Sequence, residues 1–117
     1  MRSLNTDIKD ASIKQKLWGE VDGKPVWLFT LSRGNSMIMN VTNYGAIVQS
    51  LRLQHGRSMR DIVLGYDLLS QYIKDPYYIG GVVGRYANRI DGGIINIDGQ
   101  NYPITTTPGG YHHHGGK

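Results

Sequence analysis

Leu17-Trp18-Gly19-Glu20-Val21 leads through Asp22-Gly23 into Val26-Trp27-Leu28-Phe29-Thr30-Leu31. Two runs of aromatic and branched residues joined by Asp-Gly predict a β-hairpin, because both central residues of the tightest hairpin turn need positive φ. The same grammar continues downstream. Ser36–Thr42 reads as a third strand and Ala46–Leu53 as a fourth with imperfect alternation. Asp61-Ile62-Val63-Leu64-Gly65 is a short fifth apolar run. Ile94–Ile97, Asp98-Gly99 and Gln100–Ile104 repeat the hairpin signature. Pro103 cannot donate to a ladder, so its strand belongs at an edge. Leu68–Ile73 alone reads as helix, with apolar positions 68, 69, 72 and 73 on one side, Asp67 as N-cap and Pro76 beyond its end. Residues 1–11 are a polar lead-in, and the β pattern starts at Lys14. An all-β architecture follows.

Composition agrees and narrows the function. Sixteen glycines in 117 residues lack a Gly-X-Y period, which excludes collagen and suits a turn-rich β protein. The chain has no cysteine, which excludes disulfides and thiolate metal sites. A net charge of +4 without like-charge blocks gives no indication of nucleic-acid binding. The first ten residues lack the apolar core of a secretory signal, and no apolar run approaches the ~20 residues that span a bilayer. A cytoplasmic protein without membrane contact is the expectation.

Two clusters stand out chemically. In Gly80-Gly81-Val82-Val83-Gly84-Arg85-Tyr86-Ala87-Asn88-Arg89-Ile90, two arginines and an asparagine interrupt an apolar stretch. A charge there needs a partner or a cavity. In an unbroken strand Arg85 and Arg89 would share a face. The structural reading pairs them with carboxylates such as Asp61 or Asp91. The second cluster is His112-His113-His114. On a strand, His112 and His114 would share a face and could grip a metal. Imidazole equally suits hydrogen bonding to sugar hydroxyls, and a solvated loop is the plain alternative.

Together the clusters resemble a known family. Gly84-Arg85-Tyr86-Ala87-Asn88-Arg89-Ile90, the Asp98-Gly99 hairpin with Tyr102 after it, and His114-Gly115-Gly116 are similar to the N-terminal part of aldose 1-epimerases (galactose mutarotases). Thr42-Asn43-Tyr44-Gly45-Ala46 and Asp61-Ile62-Val63-Leu64-Gly65-Tyr66 resemble the family's Asn-x-Gly-Ala turn and Asp-x-Val-Leu-Gly segment. Departures fall in one loop: His113 replaces a usual leucine, and Thr107, Gly109 and Tyr111 replace parts of an Asn-rich segment.

The resemblance implies a β-sandwich of the galactose mutarotase-like type, with residues 1–117 as the N-terminal part of a single domain and the C-terminal part absent. Edges and apolar faces of such a piece would stay uncovered, making the isolated chain marginal. It implies that Asn88, Arg89 and His114 bind a small aldose, with Arg85 as support packed and ion-paired behind them. It implies interconversion of α and β anomers by acid/base ring opening, without cofactor or metal. The family's catalytic acid, a second histidine, and its base, a glutamate, lie beyond Lys117; the only glutamate here is Glu20. No catalytic residue is therefore expected within the chain. A non-catalytic carbohydrate-binding β module using the same three residues is the alternative.

Overall fold

The computed structural model describes residues 10–116, and most of the polar lead-in lies outside that range. The chain divides into two compact units, Met1–Val82 and Val83–Lys117.

The first unit is a five-stranded antiparallel meander of β1 (Ala11–Val21), β2 (Lys24–Arg33), β3 (Met37–Thr42), β4 (Val48–His55) and β5 (Ser58–Asp61), in sequential order. Its first hairpin turns at Asp22 and Gly23, with φ of 50° and 72°, as the Asp-Gly signature requires. β1 begins at Ala11, three residues before the expected start, where it pairs with Arg33. β4 starts at Val48, not Ala46, because Gly45 and Ala46 take left-handed φ of 65° and 50° and turn the chain first.

The apolar run after Asp61 is not a strand. One oxygen of the Asp61 carboxylate accepts the N–H groups of both Leu51 (3.1 Å) and Val63 (3.2 Å). This local loop diverts the chain from the sheet, and Ile62 and Leu64 stand 57% and 80% exposed. The fifth strand lies just upstream instead, after a tight turn at Gly56-Arg57 that places His55 opposite Ser58.

Helix α1 (Leu69–Ile73) is shorter than the expected segment. Leu68, not Asp67, is its N-cap, because the Gln71 side chain accepts the Leu68 N–H at 3.0 Å and so satisfies a free donor of the first turn.

The core of this unit is small. Val26 and Leu28 on β2, Ile47, and Leu69 and Tyr72 of α1 are its buried apolar side chains, with Thr42 and Ser50 buried among the sheet residues. Tyr72 packs against Trp18 at 5.7 Å and edge-on against Tyr66 at 5.1 Å, and its hydroxyl accepts the Tyr66 N–H at 2.8 Å. Gly65 leaves room for this contact: a Cβ there would overlap the Gln49 carbonyl and approach the Tyr72 hydroxyl to 2.8 Å. Gly65→Ala is expected to cost roughly 1–3 kcal/mol of stability, the usual cost of overpacking, read as a lower urea midpoint.

The other face of the sheet is apolar and only half-covered. The register places Ile13, Leu31, Met39 and Leu51 in one row, and Phe29 opposite Val41. Ile13 is 72% and Leu17 61% exposed.

The second unit contains two small antiparallel pairs. β6 (Arg89–Asp91) pairs with β9 (Tyr111–His113), and β7 (Ile94–Ile97) pairs with β8 (Gln100–Pro103). The β7–β8 hairpin turns at Asp98 and Gly99, with φ of 51° and 83°. Pro103 closes a two-stranded ribbon, where its missing donor breaks no inner ladder.

Candidate functional site

The site candidates lie in the second unit, where β6 and β9 bring the arginine cluster and the histidine cluster together. Arg89, Ile90 and Asp91 face His113, His112 and Tyr111 respectively. Just outside this ladder the two strands are clasped again. Asn88 N–H donates to His114 Nδ1 at 2.9 Å, and His114 N–H donates to the Asn88 carbonyl at 2.8 Å. Both residues hold left-handed backbone, with φ of 69° at Asn88 and 48° at His114. Such φ is uncommon outside glycine, and asparagine and histidine tolerate it better than most residues.

This clasp settles the chemistry of the His114 ring. Nδ1 accepts a backbone N–H, so the neutral imidazole carries its hydrogen on Nε2. The exposed ring therefore presents a donor. Asn88 keeps its side-chain amide exposed next to it, and Arg89 Nη1 reaches the Asn88 Oδ1 at a long 3.4 Å. The three residues expected to bind a sugar thus form a contiguous group of donors with one amide acceptor.

His112 behaves differently. It is buried, and its Nδ1–H donates to the Thr105 carbonyl at 2.7 Å. The expected shared face for His112 and His114 is not formed, since β9 ends at His113 and the left-handed turn at His114 breaks the alternation. His112 instead anchors the tail loop. Gly116 lies tightly against this anchor, where a Cβ would overlap the Thr105 hydroxyl and come within 2.7 Å of the His112 ring. Sequence reasoning missed this role because no short-range pattern links residue 112 to residue 105.

The arginines also depart from expectation. Residues 81–88 form no strand, so the shared face of Arg85 and Arg89 does not exist. Arg89 finds Asn88 and the ring of Tyr111, 5.2 Å from its guanidinium carbon, rather than a carboxylate. Asp61, one proposed partner, spends a carboxylate oxygen on backbone N–H groups. Arg85 is exposed and lines an open groove together with His114, His112, Ile90, Ile95 and Ile104. The expected packing of Arg85 behind the site is therefore corrected: it stands at the groove wall. Among the described residues no three His, Asp or Glu side chains gather as a metal site would require.

His113 is half-buried opposite Arg89. Burial first, and then His114, Arg89 and His112, lower its pKa below the ordinary imidazole value. A depressed folded pKa means that the unfolded chain binds this proton more readily. The associated stability is complete above the ordinary imidazole value, declines as pH falls toward the folded value and levels off below it. His113→Leu is expected to flatten the fall of the melting temperature as pH drops below the ordinary imidazole value.

The aldose 1-epimerase family profile matches residues 28–117. The chain belongs to the aldose 1-epimerase family. An aldose 1-epimerase from Haemophilus influenzae is 30% identical over 105 residues, covering 90% of this chain and 31% of that protein. The galactose mutarotase of Bos taurus is 34% identical over 86 residues, covering 72% of this chain and 25% of that protein. Among solved structures, a galactose 1-epimerase from Lactobacillus acidophilus NCFM superimposes with a TM-score of 0.74 at 26% identity, over 91% of this chain and 31% of that one. The fold is thus of the galactose mutarotase type. The chain spans about a third or less of the length of the relatives it matches. Among the described residues, no helix of this aldose 1-epimerase family member is long and apolar enough to cross a membrane.

Proposed function

We propose that residues 88–114 supply the sugar-gripping part of a site that interconverts the α and β anomers of an aldose. The observation that carries this reading is the reciprocal clasp of Asn88 and His114, which presents an Nε2–H donor beside an amide and a guanidinium. A sugar offers adjacent hydroxyls that both donate and accept. Asn88 can meet both kinds, and Arg89 brings a fixed fork of donors. His114 would donate toward the ring oxygen, where charge develops as the ring opens. The acid and base that open the ring come from outside residues 1–117 in this reading. Glu20 lies on β1 opposite Pro25, within the other unit.

Saturation-transfer NMR on D-galactose and D-glucose with the 117-residue chain tests this. The transfer signal is expected to be strong for the unaltered chain and for Asp98→Asn at the hairpin tip, and lost in His114→Ala. Equal signals with and without the His114 ring would reject the site.

A further inference from the structure

A series of stacked planar groups connects two of the proposed sugar-binding residues. Tyr111 and His113 are two apart on β9 and share a face, and Arg89 faces His113 across the ladder. The Arg89 guanidinium carbon lies 5.2 Å from the Tyr111 ring centre. The Tyr111 ring meets that of His113 at 6.0 Å and 84°, edge to face. The His113 ring lies 4.0 Å from that of His114, tilted by 45°. Guanidinium, phenol and two imidazoles therefore form an unbroken row, with Arg89 at one end and His114 at the other.

We propose that Tyr111 and His113 are positioning residues, a stacked spacer that sets the Arg89 guanidinium and the His114 imidazole at a fixed separation and tilt. Its bearing on sugar rests on the function proposed above; the spacer geometry does not. Two observations converge on it. The row runs through a cation over an aromatic face, then an edge-to-face pair, then two imidazoles in direct contact. The space beside Tyr111 is the second. Gly109 has no side chain where a Cβ would come within 2.7 Å of the Tyr111 ring, so its absence keeps the phenol in place.

The charged and titratable groups around the spacer are Arg89 and Asp91 on β6, with Tyr111, His112 and His114 on its own segment. Against Arg89 and His114, a neutral His113 ring is the form that stacks without repulsion, as its lowered pKa supports.

The test uses the full chain and long-range 1H–15N spectra of the imidazoles, followed by galactose titration. Unaltered, His114 is expected to show one fixed tautomer with hydrogen on Nε2. In Tyr111→Leu and His113→Leu this signature is expected to give way to averaged tautomers, and galactose affinity to fall about two- to tenfold. Tyr111→Phe and His113→Phe are expected to restore both. If the Leu variants fail to fold, Gly109→Ala displaces Tyr111 while keeping every ring and is expected to perturb the His114 signature likewise. An unchanged His114 spectrum in the Leu variants, or in Gly109→Ala in their place, overturns the spacer. A chain that binds no galactose but shows the expected spectra would reject the sugar site and leave the spacer standing.

Discussion

Freshly dissolved α-D-glucose or α-D-galactose is expected to mutarotate at the buffer rate in the presence of residues 1–117 alone. Ring opening needs a base at the anomeric hydroxyl and an acid at the ring oxygen. A positioned acid or base contributes about 10²–10⁴-fold each, and the proposed grip supplies neither. The His114 hydrogen bond toward the ring oxygen favours the developing charge but takes no proton from the anomeric hydroxyl, so it does not replace the missing base. Polarimetry of the chain, and of the same chain extended to the length of its relatives, is the measurement. Rapid mutarotation only in the extended protein matches the proposal. Acceleration by residues 1–117 would show that acid and base are already present. Sugar binding with no turnover in either form would favour a binding module over a catalyst.

Loss of the Arg89 side chain is expected to weaken sugar binding by about ten- to a hundredfold, the equivalent of one hydrogen bond to a charged group at roughly 1.5–3 kcal/mol. The motivation is its contact with Asn88, itself tied to His114. Arg85→Ala is expected to have a smaller effect on binding and to leave the thermal melt unchanged, because Arg85 is exposed at the groove and packs behind nothing. A supporting role packed behind the site would instead lower the melt on truncation, and the exposed position of Arg85 offers no such packing. Titrations and melts of the two alanine variants decide. If Arg85→Ala abolished binding while Arg89→Ala retained it, the two roles would be exchanged.

Where the sequence was legible, the signal was local. Asp22-Gly23 and Asp98-Gly99 announce their turns because few other residue pairs accept two successive positive φ values. Strands β1 to β4 followed from the first of those turns and from the branched residues along them. The Gly56-Arg57 turn was missed because only one of its residues carries the usual signature. The pairing of β6 with β9 was also not foreseen: two three-residue strands some twenty residues apart leave no periodicity to read. Asn88, Arg89 and His114, singled out by resemblance, do meet. Their mutual geometry was not legible. The backbone handedness of Asn88 and His114 is set by hydrogen bonds they make to each other, and a strand rule applied to three histidines put His114 on the wrong face.

The half-covered apolar side of the meander has a consequence during synthesis. In a ribosome-bound polypeptide as long as its relatives, this sheet emerges first, while about two-thirds of the chain is still to be made. At roughly 5–20 residues per second the wait is on the order of tens of seconds. Throughout it, the row of Ile13, Leu31, Met39 and Leu51 stays on a half-covered face. Such a nascent meander is expected to depend on a chaperone that holds hydrophobic surface, and slowing translation past residue 117 is expected to lengthen that dependence.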